Sequence, residues 1–127
     1  MKEPVWLSRP VIIGIHEELL ARFGGPPGIR DKALLESAMS RPQNLLAYGE
    51  PTLFELAASY ALGIVKNHPF LDGNKRVSFM AAYVFLEING ERFAAPEEEV
   101  AVQTLALAAG ECSEADYAAW LQSACEG

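Results

Sequence analysis

The sequence predicts an all-α fold, a compact bundle of about six helices in one domain spanning residues 1–127. Three observations carry that prediction. Apolar residues recur three and four positions apart in successive stretches. Serine, threonine or aspartate stands ahead of several of those stretches and glycine or proline behind them, as helix caps and stops require. No stretch alternates apolar and polar residues convincingly enough to read as a strand, although residues 43–50 admit a small hairpin. Half of the residues are hydrophobic and only 21% are charged, so a chain of 127 residues can bury a sizeable core.

The elements follow in order. Residues 1–9 show no clear period and form a lead-in. Pro10 suits the first turn of a helix, where a missing N–H costs nothing. The stripe of that helix is Val11, Ile12, Ile15, Leu19, Leu20 and Phe23. His16, between Ile15 and Glu17, reads as a surface residue. Gly24-Gly25-Pro26-Pro27-Gly28 ends the helix in a turn-rich loop. Asp31 caps a second helix over residues 32–40, with Leu34, Leu35 and Met39 inward. Arg30 beside it reads as a structural salt link or cap rather than an anion contact. Pro42 closes the second helix, and Arg41, as the residue before proline, is pushed toward extended geometry. Residues 42–51 then form a loop with two prolines, Gly49 and an exposed Tyr48.

Thr52 and Glu55 make a capping box that starts the third helix. Leu53, Leu56, Ala57, Tyr60, Ala61, Ile64 and Val65 share one of its faces, and it ends near Asn67. His68, four residues beyond Ile64, emerges on the inner side. The fourth helix, residues 74–88, is apolar nearly all round, which marks burial by neighbours on several sides. Asn89-Gly90 stops it. Pro96 and Glu97, Glu98 and Glu99 form the first turn of a fifth helix, acidic where the dipole favours it. Val100, Val102, Leu105 and Leu107 carry that helix to about Ala109. Consecutive glutamates point in different directions, so the triplet reads as a solvated turn rather than a metal cluster. Ser113 and Asp116 open a last helix ending near Cys125, with Tyr117, Trp120 and Leu121 inward. Trp6 and Trp120 read as packing residues.

Charge and patterning exclude several functions. A net charge of −7 rules out a global basic footprint for nucleic acid. No apolar run reaches the roughly 18–20 residues of a membrane span. The N-terminus lacks the basic start and apolar run of a signal peptide. Cys112 and Cys125 read as reduced thiols. The expectation is a cytoplasmic protein with neither a membrane nor a nucleic acid as direct partner.

One polar island interrupts the apolar sequence, from Asn67 to Arg76. Burying such groups without partners costs several kcal/mol each, roughly, so they are expected to face a cleft. Gly73, Asn74, Lys75 and Arg76 open a helix, where free N–H groups and the dipole favour an anion. Lys75 and Arg76 add two cations suited to phosphate oxygens. Asp72 would repel that anion unless it held Mg²⁺ bridging to phosphate; it is also a candidate helix cap. His68 has the chemistry of a general base. Phe70 and Leu71 read as anchors that pin the loop into the core. The set matches phosphoryl or nucleotidyl transfer, which needs positioning, charge neutralisation and a proton acceptor.

The nine residues His68-Pro69-Phe70-Leu71-Asp72-Gly73-Asn74-Lys75-Arg76 resemble the signature loop of the Fic/Doc (Fido) superfamily. The lysine form is similar to the Doc, death-on-curing, branch. Gly28-Ile29-Arg30-Asp31, Leu34-Leu35-Glu36-Ser37-Ala38, Tyr48-Gly49 and Leu56-Ala57-Ala58 extend the likeness. The resemblance implies an all-helical fold and the cytoplasmic toxin of a type II toxin–antitoxin pair, with a cognate antitoxin docking near the cleft. It implies transfer of a phosphorus-containing group from a nucleotide, ATP, to a protein hydroxyl. In Fic members, which typically transfer AMP, the asparagine is followed by glycine and a second arginine lies three residues after the first. Here Lys75 and Phe79 occupy those places. The lysine form implies γ-phosphoryl transfer to a Ser or Thr of elongation factor Tu, blocking translation. It also implies His68 as base, Asp72 as ligand of Mg²⁺, Gly73, Asn74, Lys75 and Arg76 as phosphate contacts, and residues 42–51 as a flap aligning the target. AMP transfer and a non-catalytic binding module stay open as alternatives.

Overall fold

The computed structural model describes residues 3–126, and among them the chain forms six helices. They are α1 (Arg9–Phe23), α2 (Lys32–Tyr48), α3 (Leu53–Asn67), α4 (Asn74–Ile88), α5 (Glu97–Ala109) and α6 (Glu114–Ser123). Side chains cap four of the six starts. Ser8, Asp31, Thr52 and Ser113 accept from the backbone N–H groups of Val11, Leu34, Glu55 and Asp116. At Thr52 the Glu55 carboxylate answers with a 2.8 Å bond, completing the capping box. Each cap satisfies an amide that the helix cannot.

α3 lies at the centre. Leu56, Ala57, Ala58, Tyr60, Ala61 and Ile64 are fully buried, because α2, α4 and α6 pack around it. Gly63 lets α2 approach: a β-carbon there would lie 3.2 Å from both Cα and Cβ of Ala38. α4 packs along the other side through Val77, Ala81, Ala82, Phe85 and Leu86. It is not buried all round as its composition suggests. Phe79, Met80 and Tyr83 are half-covered and line a cleft. Beyond that cleft Phe79, Tyr83, Phe93, Tyr117 and Trp120 form an aromatic cluster with ring centroids 5.3–6.4 Å apart.

Several expectations are corrected. α2 does not stop at Pro42 but runs on to Tyr48, so residues 43–50 form neither loop nor hairpin. The proline deprives the Ala38 carbonyl of its donor, a penalty of about 3 kcal/mol in a bare helix. Tertiary packing opposes that penalty. Pro42 is buried, and Arg41 joins Glu114 of α6 in a two-pronged ion pair while also donating to Ser59 Oγ at 2.9 Å. Tyr48 is exposed, as expected. On α5 the inward residues are Thr104 and Leu107, while Val102 and Leu105 face outward. α6 ends at Ser123, and the chain then adds β2 (Cys125–Glu126) antiparallel to β1 (Arg92–Phe93), a two-residue ladder with Phe93 opposite Cys125. The lead-in is tied down: Leu7 N–H donates to Tyr60 Oη at 3.1 Å, and Asn89 exchanges two bonds with the Val5 backbone.

Candidate active site

The α3–α4 connection is a short extended loop, not a tight turn, and the α1–α2 loop holds it. Arg30 and Asp31 N–H groups both donate to Pro69 O, at 2.7 and 3.1 Å, and Leu71 N–H donates to Gly28 O. Ile29 and Phe70 form a β-bridge. In extended backbone successive side chains point to opposite faces. Phe70 therefore enters the core while Leu71 stands 54% exposed, so only one of the two expected anchors is an anchor. The Asn74 side chain then brackets Phe70, accepting from its N–H at 3.0 Å and donating to its carbonyl at 2.9 Å. Asn74 is buried and its amide is committed to the loop, so what it offers a phosphate is its backbone N–H.

His68 caps the C-terminus of α3 with φ 48° and ψ 56°, the one non-glycine residue with positive φ among those described. That conformation costs an L-residue roughly 1–2 kcal/mol, and such strain persists where neighbours over-determine it. Here His68 N–H donates to Ile64 O, and the Arg30 guanidinium donates to His68 O at 2.7 Å and Asn67 O at 2.8 Å. Arg30 is thus the structural cap that its position suggested. The imidazole itself is exposed and borders the cleft.

Gly73 begins α4 in the left-handed region, at φ 81° and ψ 13°, with no side-chain cap. Asp72 is therefore not the cap that sequence allowed. Its carboxylate turns toward the α1–α2 loop, where Oδ2 would lie 2.5 Å from a β-carbon at Gly25. Val77 is the first residue of α4 to donate backward, to Gly73 O at 2.9 Å. The N–H groups of Asn74, Lys75 and Arg76 precede it and make no hydrogen bond among the described residues, leaving the helix start open to an anion. Lys75 and Arg76 are exposed beside them, and the Arg76 guanidinium rests 4.2 Å above the Phe23 ring. Neither cation forms an ion pair among the described residues.

His68, Asp72, Gly73, Asn74, Lys75 and Arg76 all line one cleft of about 870 Å³. Leu19, Arg22 and Phe23 of α1 form one wall, and Val100, Ala101, Thr104 and Leu105 of α5 another. The volume is that of a small-molecule site. The polar end carries three basic side chains, Arg22, Lys75 and Arg76, on a protein whose net charge is −7. A hard cation asks for one or two carboxylates, with phosphate oxygens completing its shell. Asp72 fits that demand. No group of three His, Cys, Asp or Glu residues gathers among the described residues, so a magnesium ion would be shared with a phosphate ligand rather than caged by protein.

Residues 42–51 do not supply a flap of ten residues. Helix α2 takes up most of them, leaving a connection of four residues before α3. His16 is the residue that sequence reasoning misplaced. It is 3% exposed, stacks on Phe70 with centroids 4.0 Å apart, and its Nε2 lies 3.0 Å from the Asp72 carbonyl oxygen. The signal was present: His16 lies four residues after the fully buried Ile12, on the inward face of α1.

Comparison with known proteins adds three findings. The model of the Fic/DOC family matches residues 6–86. The chain is similar to a protein from Escherichia phage P1 named "Protein kinase doc", 38% identical over 109 residues, covering 84% of this chain and 85% of that protein. It is also similar to a protein named "Toxin Doc" from Mycolicibacterium smegmatis, 43% identical over 76 residues, 58% of each chain.

Proposed function

The chain belongs to the Fic/DOC family, and on that premise we propose that it transfers the γ-phosphate of ATP to a Ser or Thr hydroxyl of a protein such as elongation factor Tu, as the toxin of a toxin–antitoxin pair. The observation that carries this reading is the start of α4, with free backbone N–H groups and two unpaired cations, facing the same cleft as His68. The names of the phage P1 and mycobacterial relatives support it, one as a kinase and one as a toxin.

In this reading the γ-phosphate lies against the Asn74, Lys75 and Arg76 N–H groups, with the Lys75 and Arg76 side chains on its oxygens. The target hydroxyl enters beside His68. Its oxygen attacks the γ-phosphorus while the imidazole takes its proton, and the bond to the β–γ bridging oxygen breaks to release ADP. Charge accumulates on phosphate oxygens already surrounded by donors, which is where electrostatic preorganisation lowers a barrier. Asp72 holds Mg²⁺, whose charge neutralises the phosphates. Phe79 argues against AMP transfer. It stands where the second cation of that grip would be, and it is tied into an aromatic cluster with Tyr83, Phe93 and Trp120.

The test is incubation with elongation factor Tu and ATP labelled at either the α or the γ position. Label is expected on the target from the γ position alone. Label arriving from the α position overturns the kinase reading. No transfer from either, with His68→Ala leaving any cellular effect intact, makes the protein a binding module instead.

A further inference from the structure

The Asp72–Gly73 peptide is the weakly held joint of the loop. Upstream, three backbone bonds tie Pro69 and Leu71 to residues 28–31, and downstream Asn74 brackets Phe70. Rotating a peptide plane by half a turn changes ψ of the first residue and φ of the second. Gly73 sits at φ 81° and, being glycine, accepts negative φ as readily. No conformational barrier of its own therefore keeps this peptide facing one way. The facing matters. In a trans peptide the C=O and N–H point in opposite directions, and the described residues contain no cis bond. With the Asp72 carbonyl drawn back toward α1, the Gly73 N–H points the other way, and Gly73 borders the cleft. Reversed, the peptide would aim a carbonyl oxygen where phosphate oxygens are to sit.

We infer that His16 is the positioning residue that locks this peptide, donating its Nε2–H to the Asp72 carbonyl oxygen. A carbonyl only accepts, so the proton is on Nε2 in this contact. The ring is well placed for the task. It is buried, held flat against Phe70 at an interplanar angle of 19°, and Phe70 is in turn fixed by Asn74. Its Cδ2 edge faces Gly73, at 3.9 Å from where a β-carbon would lie. His16 does not line the cleft, so it acts through the loop and not on a ligand. The inference rests on the phosphotransfer reading for its consequence, but not for its geometry.

Three variants separate the hydrogen bond from mere filling of space. His16→Phe keeps a ring over Phe70 and removes the donor. His16→Gln returns a donor at the reach of Nε2. His16→Asn carries an amide that falls short, and stands in with the same expectation should His16→Phe not fold. Two measurements are made on folded protein: relaxation dispersion at the Gly73 amide without nucleotide, and affinity for the magnesium complex of a non-hydrolysable ATP analogue. His16→Phe is expected to show microsecond-to-millisecond exchange at Gly73 and to bind the analogue about tenfold more weakly, the worth of one hydrogen bond to a charged group. His16→Gln is expected to return both to near wild-type values. Wild-type behaviour of His16→Phe in both measurements overturns the inference, and so does failure of His16→Gln to restore them, since ring shape would then be what counts. If wild-type protein transfers no phosphate while Gly73 behaves as stated, the phosphotransfer reading fails and the lock stands.

Discussion

His68 and Asp72 show how single residues acquire roles from backbone that other residues hold. His68 occupies left-handed backbone under two bonds from Arg30. Replacing it by alanine is expected to lower phosphate transfer at least about 10²-fold, as loss of a general base does. Because glycine alone is relaxed at positive φ, His68→Gly should be equally inactive yet more stable than His68→Ala by about 1 kcal/mol. Urea denaturation of the two checks this, and equal stabilities would contradict the strain. Asp72 is aimed by a gap at Gly25, so Gly25→Ala should displace the carboxylate and reduce transfer with little change in melting temperature. A fully active Gly25→Ala would show that the carboxylate direction is unimportant. The chemistry of these residues was legible in the sequence, since histidine, aspartate, glycine and the cations announce what they can do. Their supports were not. His16 reads as surface because a lone histidine between isoleucine and glutamate gives no hint of a carbonyl 56 positions away. The role of Asn74 as a bracket on Phe70 depends on the loop being extended, which no residue pattern in it declares.

At the scale of elements, caps and stops were the most readable features, because they depend on chemistry within three or four residues. Thr52 with Glu55, Asp31, Ser113, Asn89 and Gly110 stand at helix ends as their types suggest. Pro42 was misleading for the opposite reason. A proline ends a helix unless distant contacts offset the lost bond, and those contacts come from α3 and α6 through Ser59 and Glu114. Glu114→Ala should therefore loosen the part of α2 beyond Pro42 before the rest unfolds. Amide exchange over residues 43–48 would rise while α3 stays protected, and uniform exchange would contradict this. Arg30 binds two elements together, satisfying carbonyls at the end of α3 from the α1–α2 loop. Arg30→Ala should cost about 1 kcal/mol, a typical net hydrogen-bond contribution. It should also impair transfer more than stability, because it frees His68. The stripe on α5 was misjudged because Val102 and Leu105 are apolar yet lie opposite the Thr104 and Leu107 side that α6 covers.

For the whole molecule, the core around α3 sets a limit on alkaline stability. Burial pushes the Tyr117 phenol up to about 12, and burial raises Tyr60 as well. A raised phenol favours the protonated, folded form. Its contribution is complete below pH 10, near the value in the unfolded chain, and disappears as pH climbs toward 12. The expected loss is of the order of 2–3 kcal/mol for Tyr117, and stability in urea unchanged from pH 9 to 12 would contradict it. The fold class was legible because helical periodicity and capping are local, whereas the two-residue pairing of Arg92–Phe93 with Cys125–Glu126 is too short to leave a pattern. The cleft emerges only from assembly: α1 and α5 become its walls because both pack against α4, leaving Phe79, Met80 and Tyr83 half-covered. Everything proposed for function turns on what enters that cleft and how it is held. The decisive measurement is a titration of isotope-labelled protein with the magnesium complex of an ATP analogue, following every backbone amide. The largest saturable shifts should fall on Gly73, Asn74, Lys75 and Arg76, with the His68 ring responding. Saturable binding that leaves those four amides unmoved would contradict the account.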